Sequence, residues 1–202
     1  MGDPTTPNAC KHAQIIDAAV AEFQENGFAA ASMDRISARA SVSKRTLYKY
    51  FESKDNLFRS IVMELSSRFE DMLEIRYVPG RDIRQQLHDL AWAEGRVIML
   101  PEVIAMSRMI ISETLRNPEL AEAAQCKLDK TTAFINMLQD ADADGQLSVP
   151  DPDAAGKEFI GLIKTKAFWP MLFSGSVVSE QEMTDIVDSA VEMIMARYGK
   201  TD

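Results

Sequence analysis

Ser32-Met33-Asp34-Arg35-Ile36-Ser37-Ala38-Arg39-Ala40-Ser41-Val42-Ser43-Lys44-Arg45-Thr46-Leu47-Tyr48-Lys49-Tyr50-Phe51 reads as two short helices joined by a tight turn. Ser32 caps the first helix, and Asp34 in its first turn suits the positive end of the helix dipole. Met33, Ile36 and Ala40 are its inward positions. Ala40-Ser41-Val42 makes the turn, and Ser43 caps a second helix over residues 44–50. Leu47 and Phe51, four apart, point inward, while Lys44, Arg45, Tyr48 and Lys49 lie on the other side. The proportions are those of a helix-turn-helix whose second helix offers a basic face to double-stranded DNA. Arg45 suits a bidentate contact to guanine, and Lys44 and Lys49 suit phosphates or base edges. Thr46 and Tyr48 bring hydroxyls for phosphate, and Ser32 and Ser43 mark helix N-termini that attract it. Lys54, just beyond, is expected to grip the DNA backbone beside the groove.

Charge supports this only after the chain is divided. The 202 residues carry a net charge of −9, which speaks against a nucleic-acid partner for the molecule as a whole. Residues 1–54 sum to +1, however, and the remainder to −10. Six cations (Arg35, Arg39, Lys44, Arg45, Lys49 and Lys54) face the single acid Glu52 within 35–54. A small basic surface on an acidic body is the expectation.

Outward from this stretch, helical periodicity dominates and strand-like alternation is nearly absent, so the fold class is all-α with about nine helices. A first helix spans about Lys11 to Asn26, with Ile16, Val20 and Phe23 on one face and Gly27 ending it. Ser53 caps a long fourth helix with a Leu57, Ile61, Leu65, Phe69, Met72 stripe, closed at Tyr77-Val78-Pro79-Gly80. Further helices are expected over about 82–99, 102–116, 118–140, 152–173 and 179–198, with Pro101 and Pro118 at first-turn positions. The domains expected are a disordered lead-in at 1–10, a DNA-binding domain at 11–56, and a helical effector-binding and dimerisation domain at 57–202.

No apolar run approaches the roughly 20 residues of a membrane span. The first residues lack the pattern of a signal peptide, and Cys10 and Cys126 fit no metal or redox spacing, so a cytoplasmic protein is expected. Only two histidines, His12 and His88, are present, with no nucleophile triad, P-loop or glycine fingerprint. No enzyme activity and no cofactor are expected.

The stretch from Ile15 to Ile61 resembles the DNA-binding domain of TetR-type regulators. The likeness rests on Ala18-Ala19, Phe23, Gly27-Phe28, Ser32 to Ile36, Val42 to Phe51, Ser53-Lys54 and Leu57-Phe58. It implies that Ser32, Lys44, Arg45, Thr46, Tyr48, Lys49 and Lys54 hold the family's DNA-contact positions. Ser41 departs from the pattern, since the family usually has Gly in the turn; a positive φ there would strain Ser modestly. Arg108 to Leu120, Gly145-Gln146-Leu147, Asp151-Pro152 and Phe159 to Leu162 are similar to the AefR-like type of C-terminal domain. The resemblance implies a homodimer formed by the last two helices, a palindromic operator and a small-molecule effector.

The second half is rich in Met and aromatic residues. Trp92, Met99, Met106, Met109, Phe134, Met137 and Phe168 are the candidate lining of a pocket for an apolar effector. Glu94 and Glu113 sit among apolar neighbours and could face a cationic ligand, although Arg116, three residues after Glu113, favours a surface pair. Phe159, Ile163, Met183, Ile186, Val187, Ala190 and Ile194 form the candidate dimer stripe.

Two other readings compete. Asp140-Ala141-Asp142-Ala143-Asp144-Gly145 through Asp151 matches a calcium-binding EF-hand loop, with Asp in place of the final Glu. Pro150 and Pro152 disfavour that geometry, and Asp151 suits the cap of the next helix better, with Gly145 ending the one before. A helical interaction module without DNA binding is the other, and it leaves the basic face of the second short helix unexplained.

Overall fold

The computed structural model describes residues 7–70, 75–116 and 131–200, with side chains described for 10–64, 75–116 and 131–200. Among them are ten helices. These are α1 (Pro7–Ala30), α2 (Met33–Arg39), α3 (Lys44–Tyr50), α4 (Lys54–Glu70), α5 (Ile83–Ile98), α6 (Pro101–Arg116), α7 (Thr131–Ala143), α8 (Pro152–Lys166), α9 (Phe168–Ser174) and α10 (Glu180–Tyr198). The all-α expectation is met, with one isolated antiparallel bridge between Leu147 and Gly199. Residues 118–130 of the expected seventh helix, with Pro118 and Cys126, lie outside the described residues, as do the side chains of Leu65, Phe69 and Met72.

Two departures have physical causes. The helix begins at Pro7, so residues 7–10 of the expected lead-in are helical; Pro supplies a preset φ and lacks an N–H that a first turn does not use. The helix expected over 152–173 is instead two, α8 and α9, divided at Ala167. Pro170 explains the break: its ring would clash with the carbonyl four residues back, at Lys166, where α8 ends. In the first turn of α9 the same proline is harmless.

The chain divides into two compact units, residues 1–67 with 105–128, and residues 68–104 with 129–202. The first thus takes in most of α4, past the 56/57 boundary expected from the sequence. Leu57, Phe58, Ile61 and Val62 are buried there. The Phe58 ring centroid lies 5.2 Å from that of Phe28 and 6.3 Å from that of Phe23, and Phe23 and Phe28 are 5.3 Å apart. Gly27, at φ 73°, bends α1 so that Phe28 can turn into this cluster.

In the second unit Leu87, Leu90, Phe134, Leu138, Phe159, Ile163 and Met183 form the core. Phe134 and Phe159 meet edge to face at 5.1 Å. Gly156 lets α8 press against α7, where an added Cβ would stand 2.6 Å from Ile135 Cγ1 and 2.8 Å from its backbone nitrogen. Gly95 makes the matching room for Met183 of α10. Ser179 and Glu182 close a reciprocal capping box at the start of α10.

The acidic loop between α7 and α8 is built by its own carboxylates. Asp151 Oδ1 accepts the Ala154 N–H at 3.0 Å as the cap of α8, with Pro152 in the first turn. Asp142 Oδ1 accepts the Val149 N–H at 2.8 Å, and Asp144 accepts from the Tyr77 hydroxyl at 2.5 Å and from Gln146. Gly145, at φ 76°, ends α7. These bonds give the loop a structural role.

Candidate nucleic-acid interface

The turn between α2 and α3 sets the angle at which α3 is presented. The Val42 N–H donates to the Ser37 carbonyl (3.0 Å) and the Ser41 N–H to that of Ala38 (3.1 Å), the paired bonds of a Schellman ending. The motif requires a left-handed residue, and Ser41 fills it at φ 52°. Among the described residues it is the one non-glycine with positive φ, at the place where the sequence departs from the TetR pattern. Ser32 Oγ accepts the Arg35 N–H at 3.2 Å and Ser43 Oγ that of Thr46 at 3.1 Å, so both serines cap as expected. The Ser43 and Thr46 hydroxyls also lie 2.8 Å apart.

α3 is split by face. Leu47 is wholly buried and Phe51 nearly so, while Lys44, Arg45, Tyr48 and Lys49 are exposed. The six cations of the basic stretch nevertheless do different work. Arg35 Nε pairs with Glu22 of α1, a carboxylate only 1% exposed, and its Nη2 donates to the Ala30 carbonyl. Arg39 makes a two-pronged bond to Glu25 of α1, which holds that carboxyl below its ordinary value. These pairs strap α2 to α1. Lys44 Nζ lies 2.6 Å from Asp34 Oδ2.

Lys54 has a role within the fold that the sequence reading did not include. Its ammonium donates to the carbonyls of Phe28 (2.6 Å), Ala31 (3.1 Å) and Ala29 (3.2 Å), and stands 4.5 Å over the Phe28 ring. It closes the end of α1, where carbonyls lack helical partners. Nothing in the local sequence signals this, because the partners lie 23 to 26 residues earlier. Arg45 and Lys49 are therefore the cations of this surface that make no hydrogen bond or ion pair to any described residue. His12 packs against Phe51 at 5.2 Å and Tyr50 at 6.3 Å, with Nδ1 3.9 Å from Glu64, and so supports α3 from behind.

The other candidate residues are distributed as follows. Of the effector set, Met106 and Met109 fall in the first unit, and Trp92, Met99, Phe134, Met137 and Phe168 in the second. Phe134 and Met137 are core, 0% and 1% exposed; Trp92, Met99 and Phe168 pack on that core part-buried. Trp92 borders an open groove with Ile75, His88, Asp89, Arg96 and Glu180. Of the dimer set, Phe159, Ile163, Met183, Val187, Ala190 and Ile194 are at most 2% exposed, facing the protomer's own core, and Ile186 is part-buried. Hydrophobic periodicity finds the face that packs within the fold, and the surface of α8 and α10 is carried by other residues. There Gly161, Leu162, Thr165, Met193 and Arg197 border a groove of about 390 Å³. Glu94 is buried, with Lys164 Nζ 3.9 Å from its Oε1. Glu113 is also buried, so a surface pair with Arg116 is not what forms.

Known proteins share this arrangement. Residues 15–61 match the family described as Bacterial regulatory proteins, tetR family. Residues 85–200 match the AefR-like transcriptional repressor, C-terminal domain. The HTH-type transcriptional regulator UidR of Escherichia coli K12 is 31% identical over 150 residues, covering 70% of this chain and 71% of that protein. A TetR family transcriptional regulator from Pseudomonas syringae pv. tomato superposes with a TM-score of 0.81 at 33% identity, covering 100% of both chains. The Flavonoid-responsive Regulator FrrA does so with a TM-score of 0.81 at 26% identity, covering 95% of this chain and 98% of that one. With an outward basic α3 on a three-helix head, and with both halves of the chain matched, this protein belongs to the TetR family of DNA-binding transcriptional regulators and carries an AefR-like C-terminal domain.

Proposed function

We propose that the chain acts as a homodimeric repressor, whose two α3 helices read a palindromic operator and which leaves it when a small apolar effector binds the C-terminal region. The observation that carries the DNA-reading part is the state of α3: Leu47 and Phe51 pin it, and Arg45 and Lys49 stand exposed and uncommitted on its outer side. A planar guanidinium in that position matches the O6 and N7 acceptors of guanine in the major groove. Lys49, with the Ser43 and Thr46 hydroxyls at the N-terminus of α3, is suited to phosphate oxygens that set the register. Tyr48, 50% exposed, adds a hydroxyl and a flat apolar face at the same surface.

The dimer face in this reading is the outer side of α8 and α10, where Leu162, Thr165 and Met193 are accessible, rather than the buried stripe. A two-fold pairing puts the reading helices a DNA turn or more apart. An apolar effector is consistent with the flavonoid response in the name of the similar FrrA protein. The chain crosses between its compact units within α4, so an effector that moves this helix would change the separation of the two reading heads and weaken simultaneous engagement. Among the described residues no helix is long and apolar enough to cross a membrane, in keeping with a cytoplasmic site of action.

Selection from random duplexes with the full chain tests the reading. Enrichment of an inverted repeat, with a complex mass of two chains per duplex, is the expected result. Enrichment of no sequence at all would overturn it in favour of a helical interaction module.

A further inference from the structure

The first compact unit holds a groove that DNA reading does not use. Phe23, Gln24, Gly27 and Phe28 of α1 form one wall, and Ala105, Arg108, Met109, Ser112, Glu113 and Arg116 of α6 form the other. Its volume of about 440 Å³ lies within the range of small-molecule sites. The floor is apolar, since Phe23, Phe28 and Met109 present their side chains there at 1%, 7% and 9% exposure. Gly27 leaves one side open: a Cβ built there would have no atom within 4 Å.

Glu113 gives this groove its chemistry. It lines the groove at only 7% exposure, and it makes no hydrogen bond or ion pair to any described residue. A carboxylate that no protein donor meets has its acceptor capacity free for a donor or cation brought by a ligand. Arg108 and Arg116, both exposed, stand at the rim. Charge in solvent is screened over about 8 Å at physiological salt, whereas a buried charge keeps most of its field. Glu113 is the one acidic side chain of that lining. The Phe23 and Phe28 rings reinforce it, because aromatic faces attract cations.

We infer that the α1–α6 groove is a binding site for an organic cation, an ammonium on a flat apolar body, with the ammonium paired to Glu113 and the body laid on Phe23, Phe28 and Met109. The site takes Met109 from the candidate effector set, its other residues lie outside that set, and it does not depend on the operator reading. Glu22 and Glu25, which strap α2 through Arg35 and Arg39, lie on the same half of α1. An occupant would thus press on the helix that positions the reading head.

The test uses the full chain with 13C-methyl methionine, the Met109 signal being assigned through Met109→Leu, and phenethylamine as the probe. Millimolar phenethylamine is expected to move the Met109 methyl resonance, while 3-phenylpropionate, the same body with an anionic end, leaves it in place. Glu113→Gln is expected to weaken phenethylamine at least about tenfold, the scale of one charge-assisted hydrogen bond. Ala105→Phe, which fills the groove and keeps the carboxylate, is expected to abolish the shift. An unmoved Met109 signal in the native chain, equal binding by Glu113→Gln or Ala105→Phe, or an equal response to the propionate would each overturn the assignment.

Discussion

Lys54 Nζ lies 2.6 Å from the carbonyl oxygen of Phe28, and the same ammonium also reaches the carbonyls of Ala29 and Ala31. The first residue of α4 thereby closes the frayed end of α1, across the aromatic cluster that forms the core of the reading head. Its loss leaves three carbonyls without that donor. Lys54→Ala is expected to lower the unfolding free energy by about 2 kcal/mol, the scale of a hydrogen-bonded charge removed from a part-buried site. Urea denaturation checks this, and an unchanged midpoint would return Lys54 to the surface.

Ser41 holds a left-handed conformation at φ 52° so that α2 can end and α3 begin. A Cβ in that region costs roughly 1 kcal/mol, offset in part by the freedom a glycine adds to the unfolded chain. Ser41→Gly is therefore expected to stabilise the protein by about 0.5–1 kcal/mol, measured as a rise in Tm, without altering DNA affinity. Ser41→Val is expected to do the opposite by a larger amount, because a branched side chain resists positive φ.

Gly156 is set by contact rather than by φ. An alanine Cβ would stand 2.8 Å from the Ile135 backbone nitrogen, which cannot swing aside as a flexible side chain can. Gly156→Ala is expected to destabilise the protein by about 2–3 kcal/mol as overpacking parts α7 from α8. Thermal unfolding reads this directly, and Gly161→Ala, with nothing within 4 Å, is the control expected to leave Tm almost unchanged.

The Tyr77 hydroxyl is pushed up to about 12, first by burial and then by the Asp144 carboxylate that accepts its proton at 2.5 Å. The unfolded chain ionises this group near 10, so the folded state favours the neutral form. The stability this contributes is complete below pH 10 and is lost as the pH rises through 12. Titration of the tyrosine Cζ resonances is expected to show the Tyr77 signal ionising near pH 12, and Asp144→Asn is expected to bring it down towards 10. Asp144 shows the complementary effect, its own carboxyl being held low by the Tyr77 hydrogen bond.

The sequence announced local devices well and distant ones poorly. Ser32, Ser43 and Asp151 could be assigned as caps because each bonds an N–H three residues on. The strain at Ser41 could be anticipated only through the TetR resemblance, in which that turn position usually holds Gly. Pro170 carried the division of α8 from α9, but the apolar residues around it continued the helical pattern and hid the break. The stripe Met183, Val187, Ala190 and Ile194 was legible as apolar, yet periodicity does not distinguish a core face from a partner's face. The role of Lys54 depends on carbonyls more than twenty residues away and was not legible at all. Glu113 is a similar case: Arg116, three residues on, suggested a surface pair, and only the fold shows the residue 7% exposed along a groove shared with α1.

The cations of the head divide their work: Arg35, Arg39 and Lys54 hold it together, and Arg45 is proposed to read DNA. Affinity of the full chain for its selected duplex, compared between the native protein and Arg45→Ala, tests it most directly. Specific binding is expected to weaken by about 1–3 kcal/mol, roughly fivefold to 150-fold, with Tm unchanged and relaxed preference at one guanine of each half-site. Undiminished affinity and unaltered base preference for Arg45→Ala would remove Arg45 from the reading surface.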